Sequence, residues 1–346
     1  MGSVFQIVMR ILVDYHHHAL LVSLYKLFAE RLGWTVYIPV GMEWYDNEYW
    51  SIGDIENSNV RFEMAKQFLL SPLLPPFTVK TAETPKLEYA FLSDVREGLK
   101  FDVVLSSVPR RFVSYEKLVK DFDMKSKLIF QAGNNFSHNC SHIINVKNLL
   151  TSSNGPYHYY PAPNKIHYHQ EFDLGLFRPD KRCVVKSVSN FQNFMCKPDL
   201  FSGLELSIPS WRFHSFGAGN RETLNSVALV AAWTRQTGFV WHVKTLDEGY
   251  GHIIHNAFAC GKPLITDTRY MTVYHQGDIP NTACSLYTPE TIIDIKDMSL
   301  EDVKKEVLRR SDNYDYYSEK VYQKFKEVVD FDREFIEIKA FLERLV

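Results

Sequence analysis

The residues with the most chemistry to offer run Glu248-Gly249-Tyr250-Gly251-His252-Ile-Ile-His-Asn256-Ala-Phe-Ala-Cys-Gly-Lys-Pro263. Two glycines on either side of one tyrosine let backbone come close to a ligand, because neither carries a Cβ. The apolar run that follows has helical spacing, so its first free N–H groups and its positive dipole end face whatever the glycines admit, which suits a diphosphate. Glu248 stands just before this helix, where a carboxylate accepts hydrogen bonds from ligand hydroxyls. Asn256 and His252 are four residues apart and share a helix face, which places the Asn256 amide to hold a ribose.

Other chemistry-bearing residues are scattered. Lys244 lies four positions before Glu248, and Lys197 closes the run Val188-Ser-Asn-Phe-Gln-Asn-Phe-Met-Cys-Lys197; either ammonium can offset phosphate charge. Near the start, Asp14-Tyr-His16-His17-His18 follows an apolar, β-branched run, and a histidine with a near-neutral pKa can act as a general base or protonate a leaving group. Trp44 and Tyr45, with Tyr49 and Trp50, can stack on rings. His138, Cys140 and His142 alternate as strand ligands would, but no fourth ligand accompanies them, so a polar loop and no metal site is the expectation.

These residues need a scaffold that gathers strand ends. Phe5 to Val13 reads as a strand, Leu20, Leu24, Leu27, Phe28 and Leu32 as a helix stopped at Gly33, and Val36 to Val40 as the next strand. Strands at Phe101 to Ser106 and Lys127 to Gln131 continue the alternation. The stretch from Thr151 to Pro163, rich in Ser, Asn, Gly, Pro and Tyr, reads as the approach to a domain boundary, with the linker near Glu171 to Asp180. Beyond it, strands are expected at Cys183 to Val188, Trp211 to Phe216, Phe239 to Val243, Leu264 to Thr266 and Ala283 to Leu286, with a helix across Glu222 to Arg235. Ser299 followed by Glu301 and Asp302 marks a capped helix start, and Phe335, Ile338, Leu342 and Leu345 mark a closing amphipathic helix. In such α/β sheets ligands collect at the carboxyl ends of strands, where the Glu248 segment falls.

At this point the segment resembles the donor motif of retaining glycosyltransferases of the GT-B type, group 1 or family 4. In that motif a Glu, seven residues and a second Glu run into a small-residue helix and then Gly-x-Pro. Glu248 matches the first acid, and Asn256 stands in place of the second. The run Glu171-Phe-Asp-Leu-Gly-Leu-Phe-Arg-Pro-Asp180 is similar to the hinge of such enzymes. The resemblance implies two Rossmann-like α/β domains facing across a cleft. Residues 1–170 would form the acceptor side, 171–320 the nucleotide-sugar domain, and 321–346 a helix packing back toward the first.

It further implies that Glu248 meets the transferred sugar, that Asn256 alters the ribose contact and so the nucleotide choice, and that one or more of His16, His17 and His18 contributes catalysis. Where the family uses an Arg and a Lys after the first strand of the second domain, only Lys197 is present, with Lys244 as a substitute. Gly249, Tyr250, Gly251 and His252 complete the donor side, and Asp14, Trp44 and Tyr45 the acceptor side. The substrate would be a nucleoside-diphosphate sugar, a UDP-sugar first, without a metal or other cofactor and with a lean toward retention. Rival readings are a sugar-nucleotide epimerase of the same fold and a non-catalytic sugar-nucleotide-binding protein.

Composition bounds the partners. With 346 residues and 45% apolar content, the chain is large enough for two cores. A formal net charge of −2 gives no global reason to expect nucleic acid, so DNA carrying hydroxylated bases is one acceptor among glycans, small molecules and proteins, unsupported by charge. Five dispersed cysteines without a C-x-x-C pair, and no apolar run near the roughly 20 residues that span a bilayer, lead us to expect a cytoplasmic protein.

Overall fold

The computed structural model describes residues 9–15, 18–46, 86–133, 144–192, 196–217, 222–244, 249–271 and 279–345. They fall into two compact units, and the chain passes from the first to the second between Phe172 and Asp173; Phe331 onward belongs again to the first.

The first unit is built on seven parallel strands: β1 (Arg10–Asp14), β2 (Thr35–Val40), β3 (Leu87–Phe91), β4 (Val103–Ser106), β5 (Lys127–Ala132), β6 (Asn148–Thr151) and β7 (Asn164–His167). Their order is β3-β2-β1-β4-β5-β6-β7. The order reverses beside β1, whose neighbours β2 and β4 lead the chain in opposite directions, so a crevice opens at the carboxyl ends of β1 and β4. Helices α1 (His18–Tyr25), α2 (Leu92–Arg96), α3 (Pro109–Asp121) and α4 (Asn154–Tyr159) connect the strands. The Thr151–Pro163 stretch, expected to lead toward a boundary, holds the end of β6 and all of α4 before the chain crosses at Phe172–Asp173. Four-residue strands framed by Asn carry too little apolar periodicity to announce themselves.

In the second unit, β8 (Val184–Asn190), β9 (Arg212–Ser215), β10 (Thr237–His242), β11 (Leu264–Thr266) and β12 (Ile292–Asp294) pair in parallel in the order β12-β11-β10-β8-β9. The reversal here lies at β8, between β9 and β10. Helices α5 (Pro198–Ser207), α6 (Val227–Gln236), α7 (His252–Ala259), α8 (Leu300–Asp312) and α9 (Tyr314–Val328) complete it. Val188, Phe213, Phe239, Trp241 and Ile265 share one buried cluster with Phe201 of α5 and Val303 and Val307 of α8, which cover that face of the sheet as a parallel sheet demands.

Two expectations are corrected here. Ala283 to Leu286 is not a strand but part of a 3₁₀ turn, because the Asn281 side chain caps it by accepting from the Ala283 N–H at 2.7 Å; the edge strand is β12. Glu222 does not begin a helix but bridges to Phe216, and α6 starts five residues later under the Ser226 cap.

The last helix, α10 (Phe331–Glu343), joins the first unit. Ile338, Phe341 and Leu342 pack in the same cluster as Ile11 and Val13 of β1. Polar clasps fix its first turn: Glu334 accepts from the His169 backbone N–H at 2.7 Å and pairs with its Nδ1 at 2.6 Å, while Arg31 pairs with Asp332 at 2.8 Å and Glu171 at 2.7 Å.

Candidate functional site

Strand β10 carries the chain to the carboxyl edge of the second sheet, where Val243 and the half-buried Lys244 emerge. Residues 245–248, including Glu248, lie outside the described residues. The chain re-enters at Gly249-Tyr-Gly251, and Gly251 has φ +81° as the N-cap of α7. A side chain rarely adopts that left-handed value, so the glycine is needed for the turn itself. Having no side chain, it also leaves the first amides of α7 without a side-chain cap.

The turn is held on two sides. Asn281, 2% exposed, donates from Nδ2 to the Gly249 carbonyl at 2.9 Å, and its own N–H donates to the Met271 carbonyl at 2.8 Å. From within α7, His255 Nδ1 meets the Gly251 carbonyl at 2.9 Å, and its ring stacks on Tyr250 at 4.1 Å between centroids. The His252 ring meets the same tyrosine edge-on at 5.0 Å. Tyr250 is therefore an anchor: at 2% exposure its ring faces the protein, and what the turn offers a ligand is backbone. Asn256 sits one helical turn beyond His252, and its buried Oδ1 accepts no hydrogen bond among the described residues.

A second group of residues closes the same edge. Thr266 pairs in register with His242, so Asp267 leaves β11 beside Val243. The Cys196 N–H donates to the Val243 carbonyl at 3.2 Å, which brings Lys197 across the end of β10. Lys197 Nζ then reaches Asp267 Oδ2 at 2.5 Å, and Arg269 grips the same carboxylate through Nε at 3.0 Å and Nη2 at 2.6 Å. Burial works against the charge on Asp267, but hydrogen bonds from Arg269 and Lys197 outweigh it and hold the carboxyl down at about 2.

No protein-family model matches the chain. No curated protein matches it either. Solved structures do. HepE of Anabaena in complex with UDP-glucose superposes with TM-score 0.65 at 11% identity, over 97% of this chain and 100% of that one. The sucrose-phosphate synthase of Thermosynechococcus elongatus gives 0.59 at 9% identity, over 97% and 99%. A glycosyltransferase from Rickettsia africae gives 0.57 at 12% identity, over 97% and 99%. The fold is that of the GT-B glycosyltransferases. Likeness at this level of identity speaks for the architecture, and the chemistry has to be argued from the residues of this chain.

Within the GT-B fold, the residues expected on the acceptor side take different places. His16 and His17 lie outside the described residues, as do Tyr49 and Trp50. His18 opens α1, and its side chain is likewise outside them. Asp14 ends β1 at the crevice but is 3% exposed, with Oδ1 accepting from Arg111 Nη1 at 2.7 Å and Oδ2 from Ser106 Oγ at 2.8 Å. Trp44 is buried with the Arg111 guanidinium 4.8 Å from its ring. Tyr45 packs near Phe122 and donates to Asp121 at 3.2 Å. Asp14 and Trp44 thus build the crevice wall from inside, because a buried carboxylate with an arginine and a hydroxyl on its two oxygens is already satisfied.

His138, Cys140 and His142 lie outside the described residues, among which no group of three His, Cys, Asp or Glu is placed to hold a metal ion. No helix among them is long and apolar enough to cross a membrane. Sequence reasoning passed over Asn281, His255, Asp267 and Arg269. An Asn before Thr-Ala is a capping signal, and an Asp-x-Arg after a short strand marks a carboxyl-edge loop, so both signals were present but common.

Proposed function

We propose that the protein is a glycosyltransferase that takes its sugar from a nucleoside-diphosphate sugar, a UDP-sugar first, bound at the carboxyl edge of the second unit. The observation that carries the reading is the Gly249-Tyr-Gly251 turn. It presents backbone and a helix start without a side-chain cap at the end of β10, and Asn281 and His255 hold it in place. Preorganised amides of this kind stabilise the charge that grows on a departing diphosphate without having to reorient. The likeness to a GT-B structure crystallised with UDP-glucose supports the donor class.

In this reading Lys244 and Lys197 face the diphosphate, His252 and Asn256 line the approach to the ribose, and Glu248 orients the sugar hydroxyls. The resemblance of Glu248 through Pro263 to the retaining donor motif favours retention of anomeric configuration. The donor is itself the substrate, and the scheme calls on no metal or further cofactor. The first unit supplies the acceptor side, with a histidine of the 16–18 run as its acid or base.

A panel of nucleotide sugars in a thermal-shift assay tests the reading, because a ligand that binds only the folded state raises the melting temperature. UDP-sugars are expected to raise it and to be hydrolysed slowly without acceptor, and Glu248→Ala to abolish turnover while binding persists. Absence of any shift across the panel would remove the donor site. Interconversion of the sugar without acceptor would make the protein an epimerase.

A further inference from the structure

Lys197 cannot serve a diphosphate as a free cation, since its ammonium is already paired with Asp267. Alone, that pair is neutral. Arg269 changes the sum: two cations share one carboxylate that has no exposed surface, leaving plus one on these three side chains, with the charge of Asp297 also acting on Arg269. Arg269 spends Nε and Nη2 on Asp267 and lies 5.9 Å from the Tyr270 ring, while Nη1 makes no hydrogen bond among the described residues and about half of the side chain, 48%, is exposed. Lys197 and Arg269 both reach the single atom Asp267 Oδ2, so their charged groups stand within about 5 Å of each other, near enough for one diphosphate to touch both.

The loop that carries Arg269 is itself tied down. Asp294 of β12 accepts from the Thr268 N–H at 3.2 Å and hydroxyl at 2.6 Å, and the Asp267 carboxylate accepts from the Arg269 N–H at 3.2 Å. The same loop leads into Met271, whose carbonyl accepts from Asn281, and Asn281 in turn holds Gly249. The cationic cluster and the glycine turn are thus two ends of one hydrogen-bonded chain along the carboxyl edge.

We propose that Arg269, aimed by Asp267, is a further diphosphate cation of the donor site, supplied from the end of β11 beside the Lys197 of the loop after β8. It is the residue that makes the site prefer a diphosphate over the bare nucleoside. This rests on the donor reading above, and Asp267 is a positioning residue that acts through Arg269 and Lys197.

The test is isothermal titration of the whole chain with UDP, uridine and inorganic pyrophosphate. Wild type is expected to bind UDP more tightly than uridine. Arg269→Gln is expected to weaken UDP and pyrophosphate at least tenfold while uridine is unchanged, and Arg269→Lys to recover part of the loss. Asp267→Asn adds net positive charge, so charge alone would tighten pyrophosphate; its weakening at an unchanged melting temperature marks the positioning role, and its tightening overturns that role. An unaltered UDP-to-uridine ratio in Arg269→Gln, or in Arg269→Met should the glutamine variant melt early, overturns the proposal and leaves the donor reading standing. Pyrophosphate binding that depends on Arg269 in a protein that ignores UDP and UDP-glucose would sink the donor reading and keep the cation pair. A wild type that binds none of them refutes both.

Discussion

Replacing Asn281 with alanine removes one side chain and unties two structures. The Nδ2 bond to the Gly249 carbonyl and the Oδ1 bond from the Ala283 N–H both vanish, at a residue only 2% exposed. Water reaches neither orphaned group freely, so each costs about 1–3 kcal/mol, and the pair about 2–4 kcal/mol after partial relaxation. One half of this falls on the 3₁₀ turn and is read as lost stability. The other half falls on the donor turn, where about 2 kcal/mol of lost preorganisation corresponds to roughly 30-fold weaker UDP binding. Asn281→Ser separates the halves: its hydroxyl still caps the Ala283 N–H but is too short to reach the Gly249 carbonyl, so part of the stability recovers and binding does not. Titration calorimetry with UDP and a urea melt of each variant give both numbers. UDP binding within twofold of wild type in both variants would show that the turn needs no tether, and the reasoning would be wrong.

Other outcomes follow from the same structure. A Cβ at Gly238 would lie 2.0 Å from the Val185 carbonyl oxygen and 2.7 Å from its carbon, both backbone, so Gly238→Ala must prise β8 from β10; we expect a loss of more than about 3 kcal/mol, read as a fall in urea midpoint, and an unchanged midpoint would contradict the close approach. His167 is lowered from 6.5 to about 4, chiefly by burial and then by His169 and His158. The unfolded chain therefore takes up a proton that the folded state refuses, and stability rises with pH between about 4 and 6.5. Between pH 7 and pH 5 this amounts to about 2 kcal/mol, or roughly 4–8 °C in the melting of the first unit. His167→Phe keeps a ring against Tyr157 and should flatten that part of the pH dependence; an equal acid loss in the variant would place the effect elsewhere.

What could be read in advance was whatever lay close together in the chain. Phe239 to Val243 is an apolar strand followed by glycines, and the helix after it ends in Gly-Lys-Pro, so strand, turn and helix appear in one window. Ser299 and Asp302 announce their capping box three residues apart, and the structure contains it. Errors arose where a local pattern had two solutions. Ala283 to Leu286 is apolar enough for a strand, and only the Asn281 cap decides for a turn. Asp14 ends a strand as a site residue would, yet Arg111, 97 positions on, claims it for the interior. Lys197 and Asp267 are 70 positions apart, and no spacing rule joins them before the sheet has formed. Charge pairing across strand ends is a property of topology, which is why the common Asp-x-Arg pattern could not single out Arg269.

The helix α10 has a consequence for how the chain is made. Its Ile338, Phe341 and Leu342 complete a core begun by Ile11 and Val13, with Asp173–Asp330 of the second unit translated in between. The unit that leaves the ribosome first is therefore the one that closes last. Through the synthesis of the second unit it must wait with the seat of α10 uncovered, exposed to chaperones and to wrong partners, while the second unit can finish as soon as α9 is out.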